Sequence, residues 1–93
     1  MRITFDRPKR EKTLAERGLD FAEAASVFAE PHFTLPDERE DYGEARFQTF
    51  GLLRQRVVVL VWTLRGDATR IISMRYANDR ERARFKARVD RSG

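Results

Sequence analysis

Apolar positions recur along this chain with two different periods, and the change from one to the other divides it. Arg2 to Phe5 reads as an opening strand. Asp6 can cap a helix over Arg7 to Arg17, with Pro8 tolerated in the first turn and Gly18 suited to the left-handed residue that ends it. Asp20 then predicts a second helix, with Glu23 completing a capping box. Phe21, Ala24, Ala25 and Phe28 give that helix an apolar stripe, and Pro31 stops it. The first third is thus expected to be a short strand followed by a helical hairpin.

After Pro31 the pattern is that of strands. His32 to Leu35 is short and closes at Pro36-Asp37, and residues 37–44 form an acidic connection that reads as a solvated linker. Arg46 to Leu53 alternates moderately, and Arg54-Gln55-Arg56 is a tight polar turn. Val57 to Leu64 is β-branched and almost wholly apolar, as expected of a central strand buried on both faces. A turn at Arg65-Gly66-Asp67 leads to a strand from Arg70 to Tyr76. Simple alternation places Ile72, Met74 and Tyr76 on one face of it and Ile71, Ser73 and Arg75 on the other. Asn78 can cap a closing helix that runs to about Val89, with Glu81 as its third residue. The order β-α-α-β-β-β-β-α predicts a single α+β domain over residues 1–93. Its sheet is expected to be an antiparallel meander packed by the helical hairpin and the last helix.

Composition narrows the chemistry. The chain has 93 residues and no cysteine, so disulfides and cysteine-ligated zinc are excluded. One histidine and scattered carboxylates lack the spacing of a metal site, and no phosphate-binding or dinucleotide glycine pattern occurs, so no cofactor is expected. No apolar run approaches membrane-spanning length and no secretory leader is visible, which points to a cytoplasmic protein without a membrane partner. Net charge is +4, unevenly spread: residues 1–64 hold ten Lys/Arg against eleven Asp/Glu, and residues 65–93 hold nine against four. Most of the basic residues are arginine, the side chain suited to planar phosphate recognition.

The densest arginine pattern surrounds the last strand-to-helix join, from Arg70 to Arg82. A corner that projects several guanidiniums suits an anionic polymer, RNA or DNA, better than a neutral metabolite. Arg75, just before the helix N-terminus, is the first candidate for a phosphate contact, and Arg82, one turn into the helix, can converge on the same group. Arg46, Arg65 and Arg70 are further candidates for RNA binding, and Tyr76 can stack on a base or donate a proton. Each has an ordinary alternative: a sheet-face ion pair for Arg75, an exposed helix charge for Arg82, solvated turns for the others, burial for Tyr76 and Trp62. Glu81 is a carboxylate at the same corner, but the helix N-terminus and nearby arginines favour its ionised form, so capping is the stronger reading. His32 has a suitable pKa for proton transfer but lies in a strand away from this corner.

Several segments in order resemble the BrnT family, the toxin halves of type II toxin–antitoxin modules. They are Phe5-Asp6 with Lys9, Gly18-Leu19-Asp20-Phe21 with Glu23-Ala24, Phe28 with Pro31, Glu44 with Arg46-Phe47, Arg70-Ile71-Ile72-Ser73-Met74-Arg75, and Glu81-Arg82. The resemblance implies a RelE-like fold and a ribonuclease that blocks translation, cleaving RNA without a metal. It also implies a cognate BrnA-like antitoxin with a ribbon-helix-helix domain, forming a heterotetramer with the toxin, so that operator DNA is reached only through the antitoxin. It brings Lys9 forward as an RNA-binding or proton-handling residue, with exposure on a helix as its ordinary alternative, and Lys9 joins Arg75, Arg82 and Glu81 as the catalytic candidates. The chain departs from the family where Glu16-Arg17-Gly18 replaces Lys-His-Gly, Thr13 an asparagine, and Phe85 a common tyrosine. Loss of that histidine removes an acid/base group, so the alternative is a weakened or inactive toxin acting as a corepressor with its DNA-binding antitoxin.

Overall fold

A computed structural model describes residues 1–92. Strand β1 (Arg2–Phe5) leads through α1 (Arg7–Arg17), a 3-10 turn (Phe21–Glu23) and α2 (Ala24–Ala29) to β2 (His32–Pro36). Strands β3 (Phe47–Leu53), β4 (Arg56–Arg65) and β5 (Ala68–Tyr76) follow, and α3 (Asp79–Ser92) closes the chain. The α+β class stands, with five strands in the order β1-β5-β4-β3-β2. Strands β2 to β5 are the antiparallel meander expected, but β1 pairs with β5 in parallel, so the sheet is mixed. A strand at the start of the chain thus covers the edge of the last one, which the linear pattern does not reveal.

Helices cover both faces of the sheet. On one, Leu19, Phe21, Ala24 and Val27 pack against Leu53, Val58, Leu60, Ile71 and Met74. On the other, Phe85 and Val89 of α3 pack against Phe33, Phe50 and Val59. Burying these side chains supplies the main driving force for folding. In β3, Gly51 lets α2 approach closely: a Cβ there would lie 2.6 Å from a Val27 methyl carbon.

Two local expectations change. The second amino-terminal helix differs from the one expected. None of the α1 residues is buried, and the second segment starts as a 3-10 turn before only six α-helical residues. The Asp20–Glu23 capping box does not form there. The Asp20 carboxylate accepts from the Ala22 N–H at 2.9 Å and from Arg10, while Glu23 pairs with Arg54 across the hairpin. In β5 a bulge opposite Val61 and Trp62 inserts Ile72, so Ile71 rather than Ile72 shares a face with Met74 and Tyr76.

The connection from 37 to 44 is fastened to the sheet. Asp37 has a fully buried carboxylate gripped by Arg39 Nε at 2.7 Å and Nη2 at 2.8 Å. Its N–H donates to the Arg46 carbonyl at 2.8 Å, and the Thr63 hydroxyl donates to the Ala45 carbonyl at 2.6 Å. The Arg39 guanidinium holds the Asp37 carboxyl below its ordinary range against the opposing effect of burial. Acidic composition suggested a solvated linker because it hides this one inward-pointing carboxylate.

Candidate functional site

The β5–α3 corner is built by a reciprocal cap. The Glu81 N–H donates to Asn78 Oδ1 at 2.8 Å, and the Asn78 N–H donates to Glu81 Oε1 at 3.0 Å. Glu81 also receives both Nη groups of Arg75, at 2.7 and 2.8 Å, and Arg75 Nη1 reaches the Tyr76 carbonyl at 3.4 Å. Because Arg75 sits opposite Val59, it lies on the α3 side of the sheet. The hydrogen bonds from Arg75, aided by the Asn78 N–H, hold the Glu81 carboxyl below its ordinary range although burial opposes this. Glu81 in turn strengthens the charge of Arg75, while the like charge of nearby Arg39 weakens it. Glu81 is therefore an ionised orienting group and a poor proton acceptor. The Arg75 Nε–H makes no hydrogen bond among the described residues and remains open to an anion.

Arg82 stands on the same corner, donating to the Ala77 carbonyl at 2.8 Å and pairing with Asp79, whose side chain is 95% exposed. Tyr76 packs its ring against the core beside α2, and the guanidinium of Arg56 lies 3.8 Å from the ring centroid. Of the residues picked out from sequence, Arg75, Glu81, Arg82 and Tyr76 lie near one corner, with Arg75 on the α3 side of the sheet and the Tyr76 ring on the other. Arg46 and Arg65 do not join them. Both pair with Glu44, at 3.6 and 3.1 Å, where Arg46 also stacks over Tyr42. That end of the sheet is about 25 Å from Tyr76 along the strands. Arg70 lies toward the Arg46–Arg65 end, in register with Thr4 and Thr63, and has no ion pair among the described residues. Lys9 is exposed in the first turn of α1, where its N–H caps onto Asp6 at 3.1 Å, and no side-chain contact links it to the corner. His32 is three strands from Tyr76, about 14 Å away, with its ring bonded to the Glu30 carbonyl.

Three arginines near these groups were missed by sequence reasoning. Arg17 reaches from the end of α1 to donate to the Met74 carbonyl at 2.9 Å, next to Arg75. Its signal was present in the departure from Lys-His-Gly. Arg39 was hidden among the carboxylates of its loop, and Arg56 looked like an ordinary turn residue.

Arg56 and Arg82 line one cavity at the corner and can hold phosphate oxygens there, while the open Arg75 donor lies on the α3 side, by the N-terminal end of a helix whose dipole favours negative charge. It is not a pocket in which every tail-end guanidinium converges, since Arg75 is clamped by a carboxylate and the remaining candidates spread along the sheet. No curated protein matches the chain. Residues 5–81 match the family described as the ribonuclease toxin, BrnT, of type II toxin-antitoxin systems. The match runs from the last residue of β1 through the whole sheet to the capping glutamate, and the chain therefore belongs to the BrnT family of ribonuclease toxins.

Proposed function

We propose that this protein inhibits translation by cutting RNA at the β5–α3 corner, and that a ribbon-helix-helix antitoxin neutralises it in the cytoplasm. Membership of a ribonuclease toxin family is the observation that carries this reading, and the arginines at the corner give it a physical form. The RNA supplies its own nucleophile. The 2′-oxygen attacks the adjacent phosphorus, the bond to the 5′-oxygen breaks, and the products are a 2′,3′-cyclic phosphate and a 5′-hydroxyl. One proton leaves the 2′-hydroxyl and one reaches the leaving oxygen, so no metal-bound water is required. Arg75 and Arg82 stabilise charge that grows on the phosphoryl oxygens, and Glu81 keeps Arg75 oriented. Arg70 and the Arg46–Arg65 group extend the contact surface along the sheet toward the rest of the strand. A RelE-like relationship fits an α+β sheet flanked by helices.

The test is end mapping of RNA incubated with purified protein in the presence of a chelator. The expected result is cyclic-phosphate termini, with cleavage reduced at least tenfold in Arg75→Ala. Intact RNA after incubation with the wild-type protein would overturn the proposal. One observation favours a second reading: both Nη groups of Arg75 are already taken by Glu81. A toxin locked in that way would act as a corepressor that binds its antitoxin and leaves RNA uncut, and the same assay separates the two.

A further inference from the structure

A cavity of about 370 Å³ at the same corner is not used by the cap or by the Arg75–Glu81 pair. It lies between the β3–β4 hairpin and the start of α3, lined by Gln55, Arg56, Val57, Tyr76, Ala77 and Arg82. Its cations differ from Arg75. Arg56 has no carboxylate partner among the described residues, and the only carboxylate partner of Arg82 there is an exposed aspartate. Both guanidiniums can therefore take a phosphate without giving up a buried ion pair.

The hairpin that forms one wall is strained. Leu53 and Arg56 are paired, so the loop has two residues, Arg54 at φ 49° and Gln55 at φ 69°. These are the only described non-glycine residues with positive φ. Two-residue hairpins with this backbone strongly favour Asn-Gly, because a Cβ is penalised there. A glutamine at the second position carries that penalty, and it is one of the residues that line the cavity. Strain kept in a surface turn beside a cationic cavity points toward function.

We propose that this cavity binds one nucleotide of single-stranded RNA at the β5–α3 corner. Its base stacks on the outer face of the Arg56 guanidinium, whose inner face covers Tyr76, its edge meets the Gln55 amide, and its phosphate lies between Arg56 and Arg82. A planar guanidinium backed by an aromatic ring is a stacking platform for a base, and an amide both donates to and accepts from a base edge. An acidic peptide would use the guanidinium charges but leave the stacking platform and the amide idle, so RNA is the better fit. The inference rests on the ribonuclease reading and adds a binding subsite to it.

The probe is a fluorescent 2′-O-methyl oligonucleotide, which lacks the attacking hydroxyl and stays intact while anisotropy reports affinity. Arg56→Ala is expected to weaken binding about tenfold for uridine, cytidine and adenosine oligomers alike. Gln55→Gly is expected to raise the melting temperature by about 4 °C through relief of strain while weakening binding and altering the ranking among the three oligomers. Arg2→Ala, at the opposite end of the sheet, serves as the control with unchanged affinity. If the wild type cuts RNA but Gln55→Gly and Arg56→Ala bind like it, the subsite is refuted and the ribonuclease reading survives. If the wild type neither cuts nor binds RNA, both fall. If Arg56→Ala abolishes binding of a polyglutamate peptide and leaves oligonucleotide binding untouched, the occupant is an acidic protein segment and the proposal is overturned.

Discussion

Replacing Glu81 by glutamine isolates the ion pair at the corner from the helix cap. Glutamine keeps an acceptor for the Asn78 N–H, so the reciprocal cap survives the change. What disappears is the charge that binds Arg75 through two short hydrogen bonds, between side chains that are 37% and 19% exposed. Charged hydrogen bonds contribute about 1.5–3 kcal/mol when shielded, and solvent screening at this exposure lowers the expected cost to about 1–2 kcal/mol at pH 7. For a chain of this size the melting temperature should fall by about 5–10 °C. The pH dependence provides a sharper check. The folded Glu81 carboxyl lies below its unfolded value, which is about 4.3, so its contribution is complete above that value and is lost as pH falls through the folded one. Urea melts of wild type and Glu81→Gln should therefore differ at pH 7 and converge as the pH is lowered through the acid range. Equal stability at pH 7, or a gap that persists unchanged in acid, would refute the argument that this charge pair holds the corner.

Gly51→Ala should destabilise the protein by about 1–3 kcal/mol through overpacking, because the new methyl meets Val27 at 2.6 Å and His32 Cβ at 3.2 Å; a neutral denaturant midpoint would show that α2 yields freely. Phe85→Ala should cost about 3–5 kcal/mol, since the ring is buried against Phe33 at a centroid distance of 6.2 Å and anchors α3 to the sheet. Arg17→Ala should accelerate amide hydrogen exchange in residues 7–17 while leaving β3 and β4 protected, because α1 buries no residue and depends on side-chain anchors such as the bond to Met74.

Elements whose signals lie within a few residues were legible in the sequence. Asp6, Gly18 and the Asn78–Glu81 pair fix helix ends through local bonds, and all three act as their residue types suggest. The valine strand was equally clear, because continuous β-branched apolar residues suit only a strand covered on both faces. Features that depend on distant partners were not. Nothing around Arg2 to Phe5 discloses that β5 lies beside it, and nothing around Ile72 discloses the bulge that re-phases the strand. Asp20 and Glu23 obeyed the capping rule on paper, but Arg10 and Arg54 gave their carboxylates competing partners. The candidate site shows the same split. Neighbours around one turn of α3 were grouped correctly, whereas the placement of Arg46 and Arg65 follows from strand direction and a shared glutamate. Arg56 became visible as a site residue only when the fold laid it over Tyr76.

Pairing β1 with β5 has a bearing on how the chain acquires activity during its own synthesis. Arg2 must wait for Ala68, and Phe5 for Ile71, before the first strand has a neighbour. A nascent chain halted short of that point cannot close its sheet edge or display the arginine corner that follows it. The corner is thus completed only after β5 has been made and has found β1, so the fold that carries the candidate site forms late in synthesis.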